Sequence, residues 1–387
     1  IMNYEELLKK YPTPLYMFDI EELHKRIAYL KSKFNKEYNL VYAIKANTFI
    51  AKELENDVSR YEICSNGEFE ICNNLNIDHS KMVISGVNKD IETIEKMIKD
   101  YDNILKYTIE SITQYELLNT LCEKYQKKIH VLIRLTSGNQ FGVSEEDFQY
   151  IIKNNNANLI TIDGIEYFSG TQKHSLVRIE KEIDYLIEFL SNIEKNFNIE
   201  LKEVEYGPGL PVFYYEDDIF NEDEFLEKLN QILNKFENKI ISIEIGRSIA
   251  ASCGKYFTKV VDLKENKNGN FAILDGGINH LVYYGQTMAM KIPKYEIIST
   301  KKGPEKIYNL CGSLCTVNDF LVKNIKTNEL NKNDIFVFKN VGAYSYAEGI
   351  SLFLSRDLPR VILKYENNNF KEVRDAVKTS TLNFPNY

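Results

Sequence analysis

The chain lacks the features that define several large classes of protein. No apolar stretch approaches the roughly 18 residues of a membrane span, and 48 basic against 56 acidic residues give a net charge of −8. A basic surface for nucleic acid is therefore not expected. The six cysteines are too sparse for a disulfide framework, and no second cysteine pair or nearby histidine completes a zinc site. We expect a reduced, cytoplasmic enzyme without a metal, nucleic acid or membrane partner.

Eight short apolar or β-branched runs recur in the first two thirds of the chain. Stretches with helical periodicity separate them, such as residues 91–101 and 180–197. Eight strand–helix units in succession predict a (β/α)8 TIM barrel, with active-site residues at the carboxyl ends of the strands. The runs cover residues 40–46, 61–65, 81–86, 105–111, 130–135, 159–168, 203–207 and 241–246.

The pattern changes after about residue 255. Helical periodicity fades and short alternating runs appear, which predicts an antiparallel β-barrel or sandwich domain. The segment 13–27 precedes the barrel, and we expect its strand half to join this β domain. The predicted domains are therefore a barrel over residues 28–255 and a β domain made of residues 1–27 and 256–387.

Lys45 stands at the end of the first run, in the sequence VYAIKAN. Desolvation at the mouth of a barrel can lower the pKa of a lysine toward neutrality, which makes Lys45 a candidate for Schiff-base chemistry. The alternative is a lysine that simply extends from a strand end into solvent.

Glycines follow two other predicted strands. Gly170, Gly207 and Gly209 would let backbone N–H groups approach a phosphate, and the dipole of a following helix would add to this attraction. A tight loop explains any single glycine turn equally well. Several such turns on the same rim as Lys45 favour a phosphate-bearing ligand.

Four segments together resemble the fold type III pyridoxal-phosphate decarboxylases, a group that includes diaminopimelate decarboxylase and the eukaryotic-type ornithine decarboxylases. The similarity extends from about Thr13 to about residue 365, with the motifs in the family's order. It implies an alanine-racemase-like barrel with a C-terminal β domain, working as a homodimer with shared active sites. The segments are VYAIKAN (41–47), EIGRSIAASCG (244–254), CGSLCTVNDF (311–320) and VGAYSYA (341–347).

The resemblance also implies roles for individual residues in a decarboxylation with a quinonoid intermediate. Lys45 would hold pyridoxal 5'-phosphate as a Schiff base, and Glu244 would keep the pyridine nitrogen protonated. Racemases of this fold place a cationic residue at that nitrogen, so Glu244 argues against racemisation. The positions that match phosphate contacts are Thr171, Gly207, Gly209, Arg247 and Tyr344, and those that match the cofactor pocket are Glu62, Ser65 and Arg134.

The segment GSLCTVND matches the family's catalytic cysteine, which reaches across the dimer interface. Cys315 or Lys45 would then return a proton to the substrate; for Cys315, a buried structural cysteine is the alternative. Asp319 matches an aspartate near the substrate, and Thr316 stands where diaminopimelate decarboxylases have an acidic residue.

Two departures from the family concern the ligand. Phe168 replaces the histidine that stacks on the cofactor, and a phenyl ring can stack but cannot hydrogen-bond. The run 275–286 lacks the arginine that grips a distal carboxylate; His280 and Tyr284 lie there as candidate substrate contacts, although His280 is equally compatible with a surface or loop position.

These departures resemble the branch represented by the butirosin-pathway decarboxylase, which acts on a glutamyl group carried by an acyl carrier protein. We therefore expect a substrate whose distal end is uncharged or tethered to a carrier. A diaminopimelate decarboxylase that acts on the free amino acid is an alternative. A non-catalytic pyridoxal-phosphate carrier and a racemase are further alternatives.

Overall fold

The computed structural model describes residues 4–299 and 303–387, which form two compact units. The barrel unit holds residues 27–211 and 221–246. The sheet unit holds the chain up to residue 26 together with residues 212–220 and 247–387. Among the described residues, no helix combines the length and the apolar character that crossing a membrane requires.

The strands fall into two groups, one in each unit. In chain order they are β1 (Leu15–Asp19), β2 (Asn39–Ala43), β3 (Arg60–Ile63), β4 (Met82–Ile84), β5 (Lys106–Ile109), β6 (Ile129–Arg134), β7 (Ile160–Phe168), β8 (Glu203–Gly207), β9 (Ile240–Ile245), β10 (Gly254–Asn266), β11 (Gly269–Leu274), β12 (Tyr295–Ile298), β13 (Glu305–Cys311), β14 (Phe320–Asn328), β15 (Ile335–Lys339), β16 (Arg360–Tyr365) and β17 (Asn369–Arg374).

The helices alternate with the strands in the barrel unit and are few in the sheet unit. They are α1 (Glu5–Lys10), α2 (Ile20–Lys33), α3 (Asn66–Asn74), α4 (Ile91–Asp100), α5 (Ile112–Tyr125), α6 (Glu145–Asn154), α7 (Leu176–Phe197), α8 (Glu222–Leu233) and α9 (Arg247–Ala250). Short 3₁₀ turns cover Ile44–Ala46, Lys52–Leu54, His79–Lys81, Phe353–Ser355, Glu366–Asn368 and Thr379–Leu382.

Strands β2 to β9 form a closed parallel barrel in chain order, and β2 closes it by pairing with β9. This confirms the predicted (β/α)8 barrel. The helices bury residues at spacings of three and four; α4, for example, buries Ile94, Met97 and Ile98. Because all eight strands of the closed barrel are parallel, their carboxyl ends meet on one rim.

Side-chain caps start the helices soon after the barrel strands end. The Ser111 hydroxyl accepts a hydrogen bond from the backbone N–H of Gln114, and the same geometry recurs at the starts of α6, α7 and α8. A capping side chain satisfies one of the free N–H groups of the first turn and typically contributes about 1 kcal/mol. The strand-to-helix turns that surround the rim are thus fixed locally.

One layer of the barrel interior is charged rather than aliphatic. Glu203 and Glu205 of β8 are fully buried, and Arg60 of β3 binds the carboxylate of Glu203 while lying 3.7 Å from that of Glu205. Lys106 of β5 adds a second cation, 2.9 Å from Glu203. A buried carboxylate loses its hydration, so it is tolerated only while such partners remain.

We predict that Arg60→Met destabilises the protein, because it leaves the buried Glu203 with Lys106 as its remaining cation. The free energy of unfolding should fall by about 3 kcal/mol, measured by urea denaturation. The control is Lys228→Met, which breaks an exposed ion pair with Glu224 and should leave the urea midpoint unchanged. Equal midpoints for the two variants would contradict the prediction.

The sheet unit is built around a mixed sheet in the order β14-β13-β11-β10-β1-β16-β17, and β15 links β10 to β12. As expected, the strand of segment 13–27 joins it: β1 pairs with both β10 and β16. Two pairs, β1–β16 and β11–β13, are parallel, whereas an antiparallel domain was expected. No hairpin connects the two strands in either pair, because β1 comes from a remote segment and β12 lies between β11 and β13 in the chain.

The limits of the two units differ from the predicted domain boundary at residue 255. Residues 212–220 belong to the sheet unit because Tyr215 forms a β-bridge with Pro293, and Lys294 donates its N–H to Tyr214. Residues 247–255 belong to it because the start of β10 pairs with β1 and β15. Backbone pairing between distant segments of this kind leaves no local signal in the sequence.

Candidate active site

Lys45 lies in a single 3₁₀ turn directly after β2, at the mouth of the barrel. Its amine donates a hydrogen bond to Glu62 Oε2 at 3.0 Å and lies 3.9 Å from Glu244 Oε1. The Cys64 thiol is 3.8 Å from the same amine. Lys45 therefore points to a carboxylate cluster rather than simply extending into solvent.

Three buried carboxylates form this cluster: Glu62 of β3, Glu166 of β7 and Glu244 of β9 have oxygen atoms within 4.8 Å of one another. Burial alone would raise the pKa of Glu62, but the charge of Lys45 and hydrogen bonds from Lys45 and Cys64 lower it to about 2. Burial and the charge of Glu62 raise the pKa of Glu244 well above its usual range. Within the cluster, the surroundings thus favour the ionised form of Glu62 and the protonated form of Glu244.

Glu166 and Cys64 belong to this site, although the motifs of the sequence did not identify them. Burial raises the pKa of Glu166 to about 7, against the attraction of Arg134, and neither carboxylate oxygen has a hydrogen-bond partner. The one sequence signal for Glu166 is its position two residues before Phe168, which places both on the same face of β7.

We predict that Glu166→Gln stabilises the protein increasingly as the pH rises. Folding raises the pKa of Glu166 from 4.5 to about 7, so the proton's contribution to stability is complete below 4.5 and lost as the pH rises through 7. Glutamine cannot ionise. The variant should match the parent near pH 4.5 and exceed it by up to about 3 kcal/mol at pH 8, measured by urea denaturation at each pH.

The control for this experiment is Glu188→Gln, an exposed position on α7. Its difference from the parent protein should not change with pH. If the difference in the free energy of unfolding between Glu166→Gln and the parent is the same at pH 4.5 and at pH 8, the raised pKa of Glu166 is contradicted.

Arg134, at the end of β6, connects the cluster to a fourth buried carboxylate. Its Nη1 lies 3.4 Å from Glu110 Oε1 and 3.8 Å from Glu166 Oε1. The guanidinium also lies 4.8 Å from the centre of the Phe141 ring. Arg134 therefore orders the carboxylates on one side of the barrel mouth.

The two glycine turns lie against each other at the ends of β7 and β8. Phe168 pairs with Gly207, and a Cβ atom at Gly207 would come 2.4 Å from the Phe168 ring. Gly209 has φ +59°, and a Cβ there would lie 2.2 Å from the carbonyl oxygen of Gly170. Only glycine fits this approach, and the half-buried Thr171 follows in the same loop. The turns have the open backbone that a phosphate requires.

In the sheet unit, three tyrosines surround the buried Arg247, the first residue of α9. Its Nη1 donates to the Tyr214 hydroxyl at 2.8 Å, and its guanidinium lies 4.5 Å from the Tyr344 ring and 4.7 Å from the Tyr284 ring. Tyr344 has φ +64°, a left-handed conformation. The structure thus brings together Arg247, Tyr344 and Tyr284, which the sequence analysis placed at the ligand.

Two predicted ligand residues have other partners. The exposed Ser65 caps α3, where its hydroxyl accepts a hydrogen bond from the Glu68 N–H at 3.1 Å. The expectation of a surface or loop position for His280 holds for the loop, since the residue lies in a turn. The surface position is wrong, because the side chain is buried between the Tyr256 hydroxyl at 2.8 Å and the Asp357 carbonyl at 2.7 Å. Burial lowers the pKa of His280 to about 4. The imidazole is therefore neutral, and both of its nitrogens are engaged by the two neighbouring groups of the sheet unit.

The loop between β13 and β14 presents Cys315 at the surface. Cys315 is exposed, so the alternative of a buried structural cysteine is wrong. Asp319 is buried and accepts hydrogen bonds from the N–H groups of Ile278 at 3.0 Å and Leu314 at 2.8 Å. Its own N–H donates to the Thr316 carbonyl at 3.2 Å. Asp319 therefore shapes this loop, and both of its carboxylate oxygens are engaged.

Comparison with known proteins identifies the family. Residues 28–342 match the family described as pyridoxal-dependent decarboxylase, C-terminal sheet domain. The chain belongs to this family. It is 26% identical to the diaminopimelate decarboxylase of Campylobacter jejuni over 89% of each chain. It is 25% identical to the L-glutamyl-[BtrI acyl-carrier protein] decarboxylase of Niallia circulans, over 95% of this chain and 92% of that protein.

A solved structure supports the fold of this decarboxylase. The diaminopimelate decarboxylase of M. jannaschii superposes with a TM-score of 0.87 at 22% identity, over 97% of this chain and 92% of that one. The decarboxylase is a pyridoxal-phosphate-dependent carboxy-lyase, and its residues fit that cofactor. An amine stands at the barrel mouth between two buried carboxyls, and at Gly170 a Cβ atom would meet no other heavy atom within 4 Å, so the backbone of the first glycine turn is open there.

Proposed function

We propose that this decarboxylase removes the α-carboxylate of an amino acid or aminoacyl group whose distal end is uncharged or joined to a carrier protein. One observation carries the proposal: the run 275–286 offers no cation for a distal carboxylate. It contains no arginine or lysine. Its one histidine, His280, is buried and neutral. Asp275 accepts hydrogen bonds from Thr13 and Thr258.

The chemistry proposed for the site follows from the protonation of its residues. When bound, pyridoxal phosphate supplies a ring that accepts the electron pair left at Cα as CO2 departs. Lys45 is the amine that would hold the cofactor's aldehyde carbon. Glu244, whose protonated form is favoured by burial, would face the ring nitrogen, and Glu62 keeps the Lys45 amine in place through its hydrogen bond. We assign Cys315, an exposed thiol, as the acid that returns a proton to Cα.

The remaining contacts are part of the same proposal. Arg134 lines the pocket and Phe168 stacks on the cofactor ring. The phosphate contacts are Thr171, Gly207, Gly209, Arg247 and Tyr344. A homodimer with shared active sites, which rests on the family resemblance, and a cytoplasmic location, which rests on the sparse cysteines, complete it. Tyr284 and Thr316 are the proposed substrate contacts.

We predict that Lys45→Ala abolishes CO2 release and prevents covalent attachment of the cofactor, because it removes the amine that lies beside Glu62. Absorption spectra of the purified protein before and after borohydride reduction report attachment, and release of labelled CO2 reports activity. Lys96→Ala, at an exposed position on α4, is the control. An active Lys45→Ala protein would remove the assignment of the lysine and with it the mechanism.

We predict that CO2 is released faster from an aminoacyl thioester of an acyl carrier protein than from free meso-diaminopimelate. A substrate with a charged distal end must desolvate that charge without a compensating cation from residues 275–286. The measurement is CO2 release from the cofactor-loaded protein with glutamyl-carrier thioesters, free glutamate, ornithine, lysine, arginine and diaminopimelate. Equal rates on free diaminopimelate would contradict the tethered-substrate proposal.

Decarboxylation of free diaminopimelate is the second candidate function. The observation in its favour is the similarity of the whole chain to diaminopimelate decarboxylases, including that of C. jejuni. If this function is correct, the cation for the distal carboxylate comes from outside residues 275–286. The substrate panel above separates the two candidates.

A further inference from the structure

A buried carboxylate on α7 connects the ends of two barrel strands. Glu182 accepts hydrogen bonds from the Ser169 hydroxyl at 2.6 Å, the Lys173 amine at 2.8 Å and the Tyr206 hydroxyl at 2.8 Å. Ser169 directly follows β7, and Tyr206 lies in β8. One side chain thus holds two neighbouring strand ends and the loop between β7 and α7.

The partners of Glu182 enclose the first glycine turn. Ser169 precedes Gly170, and Lys173 follows it by three residues. The backbone N–H of Lys173 donates to the Gly209 carbonyl at 2.8 Å. Gly209 approaches Gly170 so closely that a Cβ on it would lie 2.2 Å from the Gly170 oxygen. The spacing between loop 168–173 and turn 207–209 therefore depends on where Glu182 holds Ser169 and Lys173.

The charged pair in this network is better explained by a role in fixing the geometry of the loop than by a contribution to the stability of the fold. Lys173 is 7% exposed, and its amine lies 2.8 Å from Glu182 and 3.3 Å from the Tyr206 hydroxyl. The hydration energy that is lost when an ion pair is buried is often larger than the attraction between the two charges. A pair of charges with several directional hydrogen bonds does, however, fix geometry more tightly than apolar packing.

We propose that Glu182 and Lys173 are positioning residues for the phosphate-binding turns. They set the spacing between loop 168–173 and turn 207–209, and so the affinity of the protein for the phosphate group of its cofactor. This inference rests on the proposed function, in which both glycine turns contact that phosphate. Neither side chain need touch the cofactor.

The test compares pyridoxal phosphate with pyridoxal, which has the same aldehyde and ring but no phosphate. Binding of each to the apoprotein is followed by absorbance. Glu182→Gln should weaken pyridoxal phosphate binding about tenfold, because a neutral amide loses the charge-assisted bond to Lys173, and should change pyridoxal binding less than twofold. Equal weakening for both ligands, or no weakening for either, would overturn the proposal.

Three further variants complete the test. Glu180→Gln lies on the same helix and removes only an exposed ion pair with Lys235, so it should bind both ligands as the parent does. Lys173→Met should reproduce the selective loss, and Lys173→Arg should restore most of the affinity, since it keeps the charge. An affinity for pyridoxal phosphate that survives Lys173→Met would count against the proposal.

Two precautions keep the result interpretable. Should Glu182→Gln fail to fold, Ser169→Ala removes a single hydrogen bond to the same carboxylate, and it must show a selective loss of several-fold or the proposal fails. The parent protein separates this inference from the proposed function. If the parent binds pyridoxal as tightly as pyridoxal phosphate, the phosphate assignment of the glycine turns is wrong, whatever the variants show.

Discussion

The charge balance between Lys45 and the carboxylates at the barrel mouth constrains the rest of the candidate site. The amine lies 3.0 Å from Glu62 and 3.9 Å from Glu244, and one ammonium cannot balance two buried carboxylates. The charge of Lys45 and its hydrogen bond favour ionisation of Glu62, and burial together with the charge of Glu62 raises the pKa of Glu244. Two carboxyls of the same residue type thus have pKa values shifted in opposite directions before any ligand binds.

Much of the fold and part of the site could be predicted from the sequence. Eight apolar runs gave the barrel, because strands buried on both faces are apolar throughout, and Lys45 was found because it ends the first of them. The strands β12, β14 and β17 lie outside the alternating runs of the second part of the chain, which cover residues 256–264, 270–277, 306–312, 334–340 and 360–366. Strand β14, for instance, reads FLVKNIKTN, and its buried residues Leu321 and Val322 are adjacent, which breaks the alternation of a strand with one buried face. Strands β14 and β17 pair with β13 and β16, which directly precede them, and β12 pairs with β15. Their place in the sheet therefore depends on these partners more than on a pattern of their own.

The rest of the site could not be predicted for a related reason. Glu166 and Glu62 lie on strands that are far apart in the chain, and nothing local indicates that their side chains converge in the barrel. Glu182 faces Ser169 and Lys173 only because α7 folds back along β7. The residues around His280 in the sequence do not indicate that its side chain is buried against the Tyr256 hydroxyl. Residue type and position along a strand are local properties, whereas the partner of a buried polar group is not.

Strand β7 couples the carboxylate cluster to the glycine turns. Its pairing with β6 shifts by one residue between Ile162 and Gly164, and a Cβ atom at Gly164 would lie 1.8 Å from the Glu203 carbonyl oxygen. The irregularity and the glycine together fix the register of the rest of β7, from Gly164 to Phe168. Glu166 and Phe168 are two residues apart and lie on the same face of β7. Glu166 therefore joins the cluster, and Phe168 packs on Gly207. A slip of one residue would remove both side chains from the site at once, so the register of a single strand positions both Glu166 and the ring that we propose to stack on the cofactor.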